Sequence, residues 1–234
     1  MKRLAIYGLR RSGNHAVIEW ILKNLSGCNE RHVIKESMIF SGNSCHLNAI
    51  NQYRNEALLR IDHLFATSSF KNLIISYEDR PSNSATEFSL GYTKVVIIRD
   101  IYNVIASRYK KLIDTKSQPG WQQLMKIDES IFTIWKQHAA AAKQGTTMIR
   151  FEDWIEGKEA RNAISKSLGL ENLDHTNTMS HHGGGSSFNP HHWTPPSGSD
   201  LNNRWRQVEL PKALLERMKQ EDIQVTRSQL GYHE

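Results

Sequence analysis

The chain has 234 residues, 38% hydrophobic and 23% charged, which is too apolar for a disordered chain and suits one larger α/β domain over 1–234. Its longest apolar runs, at 73–76 and 95–98, are strand-sized where a membrane span needs about 20 residues, and the apolar stretch near the start is too short for a signal sequence. Two cysteines cannot build a disulfide framework, so a cytoplasmic protein is expected, and 30 Lys and Arg scattered among 24 Asp and Glu favour a small anionic ligand over nucleic acid.

In chain order, 4–7 reads as a short buried strand stopped by Gly8, and 14–25 as a helix with Ala16, Val17, Trp20, Ile21 and Leu25 at helical spacing. Residues 26–70 are mixed and polar, with a loop at 41–44 and a weak helix near 48–59. Residues 73–77 and 95–98 are two further buried strands, and 101–112 continues as a helix. A long helix is predicted over 121–142, a fourth strand over 147–151, and a helix over 158–168 closed by Gly169. Residues 175–200, rich in His, Gly, Ser and Pro, read as one long loop, and 211–220 as a helix. Strands alternating with helices imply a central parallel sheet with helices on both faces, a three-layer α/β fold.

The first strand runs through GLRRSGNH into the first helix, the geometry of an anion cradle in which glycines let successive amides face one oxyanion. Gly8 and Gly13 have the spacing of a nucleotide P-loop, but Asn14 and His15 follow where an ATP or GTP site needs Lys and then Ser or Thr for magnesium. Arg10 and Arg11 lie inside the loop instead, and guanidinium binds oxyanions without a metal. The alternative is a strand–helix turn with solvated arginines. A second anchor is Arg99, at the carboxyl end of the strand 95–98, with Ser107 about two helical turns further on, able to share one phosphate.

Together these motifs resemble the signatures of sulfotransferases that use 3′-phosphoadenosine 5′-phosphosulfate (PAPS), a P-loop-like family. The resemblance implies that RRSGNH (Arg10, Arg11, Ser12, Gly13, Asn14, His15) binds the 5′-phosphosulfate, with Arg11 in the cationic position. It assigns Arg99 and Ser107 to the 3′-phosphate. Phe151, in MIRFEDW, matches an aromatic residue near the adenine. The GGGSSFNP loop, with Ser187, and the downstream Arg204–Trp205 resemble the Ser-rich loop and Arg-Trp of bacterial relatives. Two departures stand out: Ala16 occupies the position of an adenine-stacking Trp, and His15 replaces a phosphate-binding hydroxyl.

Sulfo transfer needs donors where charge develops on the leaving oxygen, which Arg11 and the loop amides supply, and a base for the acceptor proton. The resemblance offers two candidates for that role: Glu78, ending its strand 21 residues before Arg99, close to the spacing of the catalytic His of the cytosolic branch, and Glu36, where the glycosaminoglycan branch carries a Glu after the first helix. The strand-end Glu78 is favoured. His181, His182, His191 and His192 invite a zinc reading, but they lie in a Gly-Pro-Ser loop without acidic or cysteine partners, and no metal is expected. The expected function is metal-independent transfer of a sulfo group from PAPS to a hydroxyl or amine of a small-molecule or carbohydrate acceptor. A small-molecule kinase and a non-catalytic nucleotide- or polyanion-binding module are the alternatives.

Overall fold

The computed structural model describes residues 2–26, 31–34, 38–41, 44–48, 72–83, 92–115, 126–170 and 202–233. Seven strands form one sheet: β1 (Lys2–Gly8), β2 (Arg31–Ile34), β3 (Met38–Ser41), β4 (Ser44–Asn48), β5 (Asn72–Glu78), β6 (Thr93–Ile98) and β7 (Thr147–Arg150). Their order is β2-β3-β4-β5-β1-β6-β7. From β4 to β7 every neighbour is parallel, whereas β2, β3 and β4 pair antiparallel at one edge.

The central strands are continuous apolar runs because both faces are covered. Leu4, Ile6, Ile74, Val95, Ile97 and Ile149 point to one face, where α1 (Asn14–Ser26) packs with Val17, Ile18, Ile21 and Leu22. The opposite face carries α2 (Ile101–Asp114) and α3 (Glu129–Lys143), which share a core with Ile98, Leu210, Met218 and Ile223. Tyr7 and Tyr77, paired in register on β1 and β5, stack with ring centroids 4.8 Å apart. Fully burying one such aliphatic or aromatic side chain contributes about 1.5–3 kcal/mol, so the two interfaces hold the carboxyl ends of β1, β5 and β6 in fixed positions.

Several predicted bounds move. The helix predicted over 121–142 begins at Glu129, because Asp128 caps it: the Asp128 side chain accepts from the Ser130 amide at 3.0 Å. Residues 121–125 lie outside the described residues. The strand predicted to 151 ends at Arg150, and Phe151 opens a short helix, α4 (Phe151–Glu156), followed by α5 (Lys158–Leu168), which Gly169 closes in the left-handed conformation. The tail predicted as one helix over 211–220 is α6 (Lys212–Met218) and is followed by α7 (Glu221–Gln229). The predicted loop at 41–44 lies between β3 and β4, and of the helix near 48–59 only Asn48, closing β4, is described. The loop at 175–200 lies outside the described residues.

Candidate functional site

The carboxyl ends of β1, β5 and β6 converge at the turn between β1 and α1. This turn needs two left-handed residues, Arg11 at φ 74° and Gly13 at φ 85°. A Cβ at Gly13 would also lie 2.2 Å from the Phe151 ring, so both backbone conformation and the close approach demand glycine there. The Ser12 amide donates to Leu9 O at 3.1 Å, and Gly13 O accepts from the amides of Ala16 and Val17, locking the loop onto the helix start.

The structure brings the two sequence motifs into contact. Arg11 Nε donates to Ser107 Oγ at 3.1 Å across 96 positions, and Arg99 donates to Arg11 O at 3.3 Å. Arg99 leaves the end of β6 nearly buried, its carbonyl held by Trp135 Nε1 at 2.9 Å and its guanidinium 4.8 Å over the Phe151 ring. Burial, reinforced by Arg99 and Arg108, lowers Arg11 to about 10, with Glu78 acting in the opposite direction. Burial also lowers Arg99, against the pull of Glu152. Two guanidiniums are thus held where water solvates them poorly, with Glu78 and Glu152 as carboxylate neighbours that keep them charged.

Asn14 and His15 stand where a magnesium-dependent site carries Lys and Ser or Thr. The Asn14 amide turns inward, donating to Leu9 O at 3.0 Å and to Glu78 Oε1 at 3.2 Å. His15 Nε2 lies 3.8 Å from the same carboxylate oxygen. Among the described residues no three His, Cys, Asp or Glu side chains gather as a metal site; His181, His182, His191 and His192 lie outside those residues.

Glu78 closes β5 opposite Gly8 of β1, and its second oxygen accepts from Arg10 Nε at 3.4 Å. It therefore sits against the loop between β1 and α1. Glu36 and Ser187 lie outside the described residues. Phe151 is packed beneath the loop between Gly13 and Arg99. Arg204 is carried to α2 by a short 3-10 turn (Arg204–Gln207): Asn103, in the first turn of α2, donates to Asn202 O at 2.8 Å and accepts from the Trp205 amide at 3.2 Å. Trp205 packs edge-on against Tyr102, with centroids 5.0 Å apart.

Strand alternation would turn the Asp79 side chain to the face opposite Glu78, yet Asp79 joins Arg108 in strapping the same loop down. Asp79 follows Glu78 at φ 56°, so the chain turns sharply as it leaves β5. Its carboxylate accepts from the Arg10 amide at 2.9 Å and from Arg108. Arg108, fully buried on α2, also donates to Arg10 O at 3.2 Å. The adjacency of Glu78 and Asp79 and of Ser107 and Arg108 was the only available signal.

No protein-family model matches the sequence, and no curated protein matches it. Solved structures do. The sulfotransferase domain from the curacin biosynthetic pathway superposes with a TM-score of 0.52 at 12% identity, covering 100% of this chain and 99% of that one. The sulfotransferase domain from the Synechococcus PCC 7002 olefin synthase gives 0.52 at 14% identity, with 100% and 96% covered. Mouse sulfotransferase SULT7A1, solved with PAP, gives 0.51 at 13% identity, with 99% and 89% covered. With parallel strands from β4 to β7, helices on both faces and a P-loop-like turn at the carboxyl ends of the central strands, the chain has the fold of these sulfotransferase domains.

Proposed function

We propose that this chain is a sulfotransferase that takes the sulfo group from PAPS and delivers it, without a metal ion, to a hydroxyl or amine of a small-molecule or carbohydrate acceptor. The observation that carries this reading is the junction of Arg11, Ser107 and Arg99 beneath a loop whose metal-ligand positions hold Asn14 and His15. The residues fit such a nucleotide: Arg11 and Arg99 are depressed chiefly by burial, and bound phosphate would relieve what burial and like charge impose. Arg10, Ser12, Gly13 and His15 would surround the 5′-phosphate. Phe151 would set the direction of Arg99, while Arg204 and Ser187 would close the nucleotide from the C-terminal side.

In the transfer, the acceptor oxygen or nitrogen forms its bond to sulfur as the bond from sulfur to the bridging oxygen breaks. The electron pair stays with the departing phosphate, where Arg11 and the loop amides meet it. The acceptor's proton goes to Glu78, whose carboxylate accepts from Asn14 of the loop; Glu36 is the competing base.

The test is nucleotide selectivity. Arg99→Ala should weaken PAP binding by about ten- to a hundredfold, the range for a hydrogen bond to a charged group, and leave adenosine 5′-phosphate binding almost unchanged, both read by calorimetry. Equal loss for both nucleotides would remove Arg99 from the 3′-phosphate site. Binding of Mg-ATP in preference to PAP would replace the reading with a kinase.

A further inference from the structure

Two buried carboxylates flank Arg99, and both are held from the far end of the chain. Asp100 caps α2, its Oδ1 accepting from the Tyr102 amide at 3.3 Å. Arg227, on α7, grips the same carboxylate with two parallel hydrogen bonds, Nε to Oδ1 at 3.0 Å and a terminal nitrogen to Oδ2 at 3.1 Å. The guanidinium of Arg227 lies 4.1 Å over the Tyr102 ring, which fixes its plane. Glu152, on α4, accepts the Asp100 amide at 3.0 Å through Oε1, and that oxygen lies 3.9 Å from Arg99 Nε. Its Oε2 accepts the Tyr232 hydroxyl at 2.8 Å. Burial, helped by Glu152, pushes the Tyr232 phenol well above its ordinary range, so it remains a donor. Arg99, Asp100, Glu152, Arg227 and Tyr232 are all buried.

Resting on the PAPS reading above, we infer that Arg227 and Tyr232 are positioning residues of the 3′-phosphate site, holding the two carboxylates that flank Arg99 so that its guanidinium answers to the nucleotide. The reason is charge competition. Asp100 is adjacent to Arg99 and already acts on its charge. Without Arg227, the Asp100 carboxylate keeps its bond from the Tyr102 amide alone, a buried anion one residue from the guanidinium that is proposed to meet the phosphate. It would then repel that phosphate and attract Arg99. Tyr232 acts more gently, fixing which oxygen of Glu152 faces Arg99. The C-terminal helix thereby belongs to nucleotide recognition without touching the nucleotide.

The experiment measures the ratio of PAP to adenosine 5′-phosphate affinity in the full chain. Arg227→Met should lower this ratio about tenfold, within the range for residues that act on a site without touching its ligand. Asp100→Asn in the same chain should restore most of it, since Asn still caps a helix but carries no charge. Tyr232→Phe should lower the ratio a few-fold (about two- to fivefold, its effect reaching Arg99 only through Glu152). A purely structural role for Arg227 forecasts that the double variant is as impaired as the single one, and that result overturns the proposal. An unchanged ratio in Arg227→Met overturns it as well. Should Arg227→Met fail to fold, an unchanged ratio in Tyr232→Phe does the same. A wild-type chain that binds the two nucleotides alike overturns the PAPS reading and this proposal together; a wild-type preference for PAP keeps the two failures apart.

Discussion

At neutral pH the Arg11 guanidinium is charged while half-buried beside Arg99 and Arg108, and burial is the largest reason its value falls to about 10. The sign of the linkage follows directly. A base whose folded value lies below its unfolded one binds fewer protons when folded, so the penalty is fully present below about pH 10 and shrinks as pH rises above it. Arg11 is therefore kept at a cost to the unliganded chain, which the proposed anionic ligand would offset. Arg11→Met should leave the melting temperature of the unliganded protein unchanged or raise it, while PAP affinity falls about ten- to a hundredfold. Differential scanning calorimetry with and without PAP reads both quantities. A lower melting temperature together with intact PAP affinity would mean that Arg11 is a structural strut. Arg108 is the contrasting case, because Asp79 pairs with it, and the pair holds the Arg10 backbone from both sides.

Strand ends, more than any single residue, decide what the site contains. β1 delivers the loop, β5 delivers Glu78 and β6 delivers Arg99, all at the same edge of a parallel sheet, where ligands of such folds bind. Glu78→Gln keeps the size and hydrogen-bonding shape while removing the basicity, so turnover should fall by about 10²–10⁴ with PAP affinity nearly unchanged. Glu36→Gln is the matched comparison, measured with an aliphatic alcohol and a phenol as acceptors. If Glu36→Gln is the inactive enzyme, the base belongs after the first helix; if both stay active, neither carboxylate is the base. The central strands and the loop were legible in the sequence because burial on both faces leaves unbroken runs such as 95–98, and because Gly8 and Gly13 punctuate the turn. Less legible was α7, in which Ile223 and Arg227 are the buried residues, too few to write a helical stripe. Phe151 looked like a continuation of β7, since nothing local marks the switch from strand to helix at Arg150. Asp79 with Arg108 and Asp100 with Arg227 were illegible for a different reason: the partners meet across 29 and 127 positions, and neither side carries a motif.

For the molecule as a whole, the proposed nucleotide site draws on segments from one end of the sequence to the other: the loop at Arg11, the β6 end at Arg99, α4 at Glu152 and the α7 region at Arg227. A ligand that joins these segments stabilises the folded chain against an unfolded state that cannot bind it, by about 2.7 kcal/mol at a hundredfold excess over its dissociation constant. For a chain of this length each kcal/mol raises the melting temperature by about 2–4 °C, so PAP at that excess should raise it by roughly 5–10 °C. Because Asn14 and His15 replace the Lys and hydroxyl that a magnesium site requires, the same rise should appear in a chelator and in added magnesium. Adenosine 5′-phosphate at equal concentration should give a smaller rise, as it leaves Arg99 and Ser107 without a phosphate. A shift that appears only with magnesium would return Asn14 and His15 to metal chemistry and overturn the metal-free reading, and equal shifts from the two nucleotides would leave the buried guanidinium of Arg99 without its proposed ligand.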